Sequence, residues 1–190
     1  TGNGDTGLPM IRAMFLEYPD DEYAYSKNMQ YQYMFGKNVL VAPVYQNTQA
    51  NEIGDDVRDN IYLPDSEAVW VDFFTGKQYR GGQILDQYDA PLWKLPVFVK
   101  NGAIIPQYEA NNSPAQIKKE NRIVEFWPEG NTEYTVVEDD GTYVQNTMTE
   151  DSEYGVIDDV SYGDHVSTKY TSKVEGTKAV LTAEKSTGTY

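Results

Sequence analysis

Cysteine is missing from all 190 residues, so no disulfide, thiol nucleophile or thiolate metal site can be built from this chain. That absence says little about compartment, because an extracellular bacterial protein can also lack cysteine. Histidine is nearly absent too: His165 is the only imidazole, and a histidine metal site would have one ligand. No apolar run approaches the roughly 20 residues that cross a bilayer, and no charged-then-apolar leader opens the chain. Membrane insertion is therefore not expected. Basic residues are scarce, 15 against 30 acidic, and the net charge of −15 repels phosphate backbones and anionic lipid. Nucleic acid is not an expected partner. No internal repeat is visible, and no cofactor motif occurs.

What is present is apolar and ring surface. Hydrophobic residues make up 39% and aromatics 13%, with 16 Tyr, too much for a disordered polar tract. The length suits one large domain or two small ones, each able to bury a core. The chain opens in a Gly-rich turn, TGNGDTG, and stops just beyond a strand-like run, from which we expect a larger parent polypeptide.

Periodicity points to a mainly β fold with one short helix. Residues 10–16 form an apolar run after Pro9, of a length that suits a buried strand. Asp20 reads as a helix N-cap, with Asp21 and Glu22 offsetting the dipole. Tyr25, Met29 and Tyr33 follow at steps of four on one face, and Gly36 suits the left-handed end, giving a helix of about three turns. Residues 39–44 read as a strand ended by Pro43. Residues 46–60 are polar and acidic, an exposed loop or hairpin tip, and 61–63 start a strand before the Pro64-Asp65 turn. In AVWVDFF, residues 68–74, Val69, Val71 and Phe73 share one face and Trp70, Asp72 and Phe74 the other; Thr75-Gly76 then turns the chain into 77–80. Asn101-Gly102 has the pair that a type I′ hairpin demands, between 96–99 and 103–105. Residues 107–121 lose periodicity and read as a linker. Strands are expected over 122–128, 133–138, 169–174 and 178–184. In the last, Ala179, Leu181 and Ala183 alternate with polar neighbours, as a sheet with one wet face requires. Residues 143–164 read as an acidic, Tyr-rich surface excursion.

Several blocks carry a resemblance. GLPMIRAMFLEYPDD (7–21), QYMFGKNVLVAPVY (32–45), WVDFFTGKQYRGG (70–82) and LPVFVKNGAIIP (95–106) resemble, in order and spacing, the region downstream of the catalytic barrel in glycoside hydrolase family 31, the α-glucosidases and α-transglucosylases. VVEDDGTY, 136–143, is similar to a short block of the family's distal domain. The resemblance covers about two thirds of the chain. It implies an antiparallel β-sandwich, the proximal C-terminal domain, plus part of a second, distal β-sandwich. The implied boundaries are 1–20 for the end of the barrel and the junction, 21–108 for the proximal sandwich, and 109–190 for the linker and partial distal sandwich. Ala13 departs from the Pro that many members carry, and 46–59 is longer than usual, departures that point toward transglucosylases of α-1,6 or α-1,3 linkages.

The family's chemistry needs two barrel carboxylates, roughly 5 Å apart in a retaining enzyme. The WxDMNE-like and WxGD-like blocks that carry them are absent; Trp70-Val71-Asp72 is followed by Phe73, Phe74 and Thr75 rather than Met, Asn and Glu. No residue of this chain is assigned a catalytic role, and no cofactor is expected. Should the chain nevertheless cleave a glucoside, Asp72, Asp139 and Asp140 are the first candidates.

Other residues have a bland reading beside a functional one. Ser161, Asp164 and His165 make a triad on paper, but a solvated loop His is the default. Glu138-Asp139-Asp140-Gly141 offers oxygens to Ca²⁺ without EF-hand spacing, and reads as an acidic turn. Trp70 and Trp127 read as strand packing, whereas Trp93, between Pro91 and Pro96, suits a domain seam or a sugar platform. Asn111-Asn112-Ser113 matches a glycosylation sequon. Arg12 is expected to pair with a nearby carboxylate and hold the junction.

The implied function is a C-terminal accessory region of a retaining α-glucosidase or α-glucosyltransferase. Its partners are the upstream barrel of the same polypeptide and the parent's α-glucan or α-glucoside substrate. The alternative is a non-catalytic carbohydrate-binding β-sandwich module. An acidic, cysteine-free chain rich in Asn, Thr and Tyr suits an extracellular bacterial glucan enzyme, and a cytoplasmic one stays open.

Overall fold

Trp70 marks the centre of the first half of the molecule, wholly buried and donating its indole N–H to the Pro64 carbonyl at 2.8 Å. The computed structural model describes residues 8–45, 52, 56–118, 120–139, 144–147, 159–162 and 165–189. Its first strands are β1 (Ile11–Arg12), β2 (Tyr33–Phe35), β3 (Val39–Val41), β4 (Val57–Arg58), β5 (Ile61–Leu63), β6 (Val69–Asp72) and β7 (Gln78–Arg80). They continue as β8 (Gln83–Leu85), β9 (Tyr88–Asp89), β10 (Val97–Lys100) and β11 (Ile104–Gln107). An antiparallel six-stranded sheet runs β1-β2-β3-β10-β6-β7. The pairs β4–β9 and β5–β8 lie across from it. Met34, Leu40, Trp70 and Phe98 from the sheet meet Ile61, Leu63 and Tyr88 from the pairs in one buried cluster. The alternation expected over 68–74 holds only within β6: Trp70 and Asp72 face this side and Val71 is buried on the other beside its cross-strand partner Val99, whereas Phe73 and Phe74 leave the strand for a turn and are both exposed.

The N-terminal elements differ from expectation. Instead of a strand over 10–16, β1 stops at Arg12 and α1 (Met14–Glu17) follows, burying Arg12 and Met14 while Met10, Ile11, Phe15 and Leu16 stay exposed. The predicted three-turn helix is replaced by two 3₁₀ segments, Glu22–Tyr25 and Lys27–Tyr31, separated by Ser26 in an extended conformation. The cap is Asp21, which accepts the Tyr23 N–H at 2.9 Å, not Asp20. Tertiary pairing overrides the helical spacing: Tyr33 is drawn into β2 opposite Val41, Ala24 and Met29 become the buried anchors, and Tyr25 is 60% exposed. Gly36 does adopt a left-handed φ of 63°, but it closes the β2–β3 hairpin rather than a helix.

Asn101-Gly102 does not make the expected hairpin. Both edges of β10 are already occupied, by β3 and β6, so the chain has no edge to fold back on. It turns a corner instead, with Gly102 at φ 89° donating its N–H to the Trp127 carbonyl at 2.6 Å. β11 then pairs with β12 (Ile123–Phe126), so residues 108–122 connect two strands of one ladder.

The second half comprises β13 (Asn131–Glu138), β14 (Val144–Thr147), β15 (Asp159–Tyr162), β16 (Val166–Glu175), β17 (Lys178–Ala183) and β18 (Thr187–Gly188). The order is β13-β16-β17, with β18 also on β16, and β14–β15 form a separate ribbon inside the expected excursion. The other residues of 143–164 lie outside the described set, as do those of 46–55 except Glu52; the end of that expected loop, Val57–Arg58, is strand β4. The one-wet-face expectation for β17 fails: Leu181 is half-buried, but Ala179 and Ala183 are exposed. The covered part of this sheet lies toward the corner. Cross-strand neighbours Thr132 and Ser172, and Tyr134 and Tyr170, share a face; a Cβ at Gly102 would sit 2.9 Å from Thr132, and Lys37 lies 5.1 Å over the Tyr134 ring. No helix among the described residues is long and apolar enough to cross a membrane.

Candidate functional site

Asp72, at the end of β6, is the only buried carboxylate among the described residues. Its Oδ1 accepts the backbone N–H of Phe74 at 2.9 Å and of Thr75 at 3.1 Å, which shapes the tight turn closed by Gly76. Its Oδ2 accepts the Tyr88 hydroxyl at 2.7 Å and faces Lys94 Nζ at 3.8 Å. The Lys94 ammonium is almost fully buried, 4.3 Å over the Tyr88 ring and 3.3 Å from the Asp89 carbonyl. Burial alone would raise the Asp72 pKa, but the Tyr88 hydrogen bond, the two turn amides and the Lys94 charge outweigh it and hold the carboxyl below its ordinary value. Burial first, then the bond to Asp72, pushes the Tyr88 hydroxyl far up. Every oxygen of Asp72 is thus spent on the fold, and the Tyr88 hydroxyl is committed to Asp72.

Two open clefts flank this cluster. One, about 540 Å³, runs between Pro43–Tyr45 and the loop from Pro91 to Pro96; the other, about 640 Å³, is lined by Lys77, Tyr79, Asp86, Gln87 and the cluster itself. Above them Leu92 is 100% and Trp93 74% exposed, and the Trp93 ring meets Phe74 edge-on at 5.9 Å.

Three further buried polar side chains of the first half, Arg12, Gln32 and Arg58, act as struts. Arg12 pairs with Glu17 at 2.6 Å, the carboxylate partner expected of it, and burial of Glu17 outweighs that pairing to raise its pKa. Gln32 bonds both backbone groups of Tyr62, whose hydroxyl donates to Asp21 at 2.7 Å. Arg58 donates to the carbonyls of Pro43 and Tyr31.

The residues singled out in the sequence scatter. Trp70 is core, as read. Trp127 is half-buried, donating to Glu125 Oε1 at 2.8 Å, with its ring 6.2 Å from Phe73. His165 is exposed, and the Ser161 side chain and Asp164 lie outside the described residues. Glu138 accepts from Tyr108 at 2.6 Å and pairs with Arg122; Asp140 and Gly141 lie outside the described set. Asn111 donates to the Gln116 carbonyl at 3.1 Å. No group of three or more His, Cys, Asp or Glu able to hold a metal occurs among the described residues. Sequence reasoning misses the Asp72–Tyr88–Lys94 cluster, whose members are far apart along the chain; the prolines around Lys94 are the only local signal.

A profile described as the glycosyl hydrolase family 31 C-terminal domain matches residues 7–105, more than half of the 190. The chain belongs to glycosyl hydrolase family 31. Within that family it is 38% identical over 159 residues to an isomaltosyltransferase of Sporosarcina globispora, covering 80% of this chain and 13% of the relative. It is 32% identical over 176 residues to alpha-glucosidase 2 of Bacillus thermoamyloliquefaciens, covering 91% and 20%. Among solved structures, the family 31 dextranase of Flavobacterium johnsoniae, complexed with isomaltotriose, superposes with a TM-score of 0.66 at 32% identity, covering 96% of this chain and 20% of that one. The chain therefore spans a fifth or less of these relatives, and what it shares with them is the family's C-terminal, antiparallel β region.

Proposed function

We propose that this chain is the non-catalytic C-terminal region of a retaining α-glucosidase or α-glucosyltransferase acting on α-glucans or α-glucosides. The two catalytic Asp residues lie upstream, in a barrel of the same polypeptide. One observation carries the reading: the match is to the family's C-terminal domain, and the single buried carboxylate in the described residues, Asp72, is fully engaged in the fold. Retaining hydrolysis needs a nucleophile and an acid roughly 5 Å apart, both open to the sugar. The names of the relatives, an isomaltosyltransferase, an alpha-glucosidase and a dextranase, supply the substrate class.

In this reading residues 1–20 are the junction with the barrel, 21–108 the proximal sandwich and 109–190 the linker and part of the distal one; Ile11–Arg12 is already bonded into the proximal sheet through β2. The test is an assay on an aryl α-glucoside with the 190-residue chain and with the longer polypeptide. The chain alone is expected to be inert and the longer protein active. Turnover by the chain alone would overturn the assignment and make Asp72 the first residue to mutate.

A further inference from the structure

The loop between β9 and β10 turns its apolar side chains outward and its charge inward. Leu92 and Trp93 are 100% and 74% exposed, Leu95 is exposed beside them, and Lys94 between them is buried. Phe73 and Phe74, exposed on the β6–β7 turn, extend the patch: Phe74 lies 5.9 Å from Trp93 and 5.4 Å from Phe73. The loop is held in this inverted arrangement. Pro91 and Pro96 bracket it, the Lys94 N–H closes a turn on the Pro91 carbonyl at 2.7 Å, and the Lys94 ammonium is pinned beneath by Asp72, Tyr88 and the Asp89 carbonyl. Aromatic anchors in an apolar, charge-depleted patch mark the centre of protein interfaces, and holding them rigid lowers the cost of binding.

We propose that Leu92, Trp93, Leu95, Phe73 and Phe74 form a docking face for an apolar surface of the upstream part of the same polypeptide, with Lys94 as its positioning residue. The inference rests on the accessory-region reading. A pyranose stacks on a Trp face, but four of the five side chains of this patch, Leu92, Leu95, Phe73 and Phe74, offer its hydroxyls no partner; the polar Lys77, Asp86 and Gln87 line the cleft beneath rather than the patch itself. A second copy is disfavoured because each chain carries a net charge of −15. The upstream polypeptide remains: the chain covers only 13% and 20% of two of its relatives, so most of such a protein lies outside it.

Oxidative footprinting of Trp93, read by mass spectrometry in the 190-residue chain and in the longer polypeptide, tests this. Buried Trp70 serves as the internal reference. Trp93 is expected to oxidise several-fold more slowly in the longer protein, and Trp93→Ser is expected to lower the melting temperature of the longer protein but not of the chain alone. Equal oxidation in both would overturn the proposal. So would protection of the chain by isomaltotriose, which marks a sugar site, or by raised chain concentration, which marks self-association. The glucosidase assay separates the two readings: an inactive longer protein with Trp93 protected sinks only the enzymatic reading, and an active one with Trp93 unprotected sinks only the docking face.

Discussion

The two halves of this chain are both antiparallel β, yet they are held together differently. Of the 20 buried hydrophobic side chains among the described residues, 19 lie between Met14 and Ile104 and one, Tyr170, lies beyond. The first half uses strands of two to four residues, too short to stand alone, and closes them in two layers around Trp70. The second uses strands of eight, ten and six residues in one long ladder, with Val174 and Val180 left in solvent. Backbone hydrogen bonds exchange partners with water on folding and each contributes only about 1 kcal/mol net. A ladder without a large core of its own therefore depends on what it leans against, here the corner at Gly102, Lys37 over Tyr134, and Tyr108 and Arg122 on Glu138.

The largest expected effect falls on the first core. Trp70→Ala removes its largest side chain and leaves the Pro64 carbonyl unbonded, and should cost about 3–5 kcal/mol, read as a loss of cooperative unfolding by near-UV circular dichroism. Asp72→Asn comes next. It strips the charge facing buried Lys94, for a loss of about 3 kcal/mol in denaturant titration. It should also change the pH dependence. Because the folded pKa of Asp72 is depressed, its contribution is present above the unfolded carboxylate value of about 3.9 and fades as pH falls through the lower folded value. The variant should lose that part of the acid sensitivity, leaving the share of Asp65, which is likewise depressed, its burial outweighed by Lys100 at 2.7 Å.

A smaller change would act on the join. Gly102→Ala places a Cβ at positive φ, 2.9 Å from Thr132, and should cost about 1–2 kcal/mol. Because it loosens the corner on which the ladder leans, scanning calorimetry should show the two halves melting further apart. The smallest effect belongs to Lys169→Ala. Its pair with Glu133, 2.7 Å across the ladder, is open to solvent, so the melting temperature should not measurably move.

Elements set by local residues are legible from sequence: Ile61–Leu63 and Val69–Asp72 lie where period and turn residues place them, and the strands expected over 133–138 and 169–174 lie inside the longer Asn131–Glu138 and Val166–Glu175. Elements that depend on a distant partner are not. Tyr25, Met29 and Tyr33 spell a helix until the β3 strand claims Tyr33, and Asn101-Gly102 spells a hairpin until β3 and β6 occupy both sides of β10. The site follows the same rule. Asp72 in its turn is local, whereas Tyr88 and Lys94 reach it only once Phe98 pairs with Asp72 and sets their height.

The stretch from residue 108 to 122 looks in sequence like the place where one body ends and another begins. Its flanks, however, stay zipped together: Gln107 opposes Ile123, Ile104 opposes Phe126, and Tyr108 and Arg122 both hold Glu138. A protease that nicks the exposed residues 109–112 would make two peptides but not two particles. They would separate on a denaturing gel and travel as one through a sizing column. The same stretch is where a tag could be inserted, or new chain ends opened, while the strands on either side keep their register.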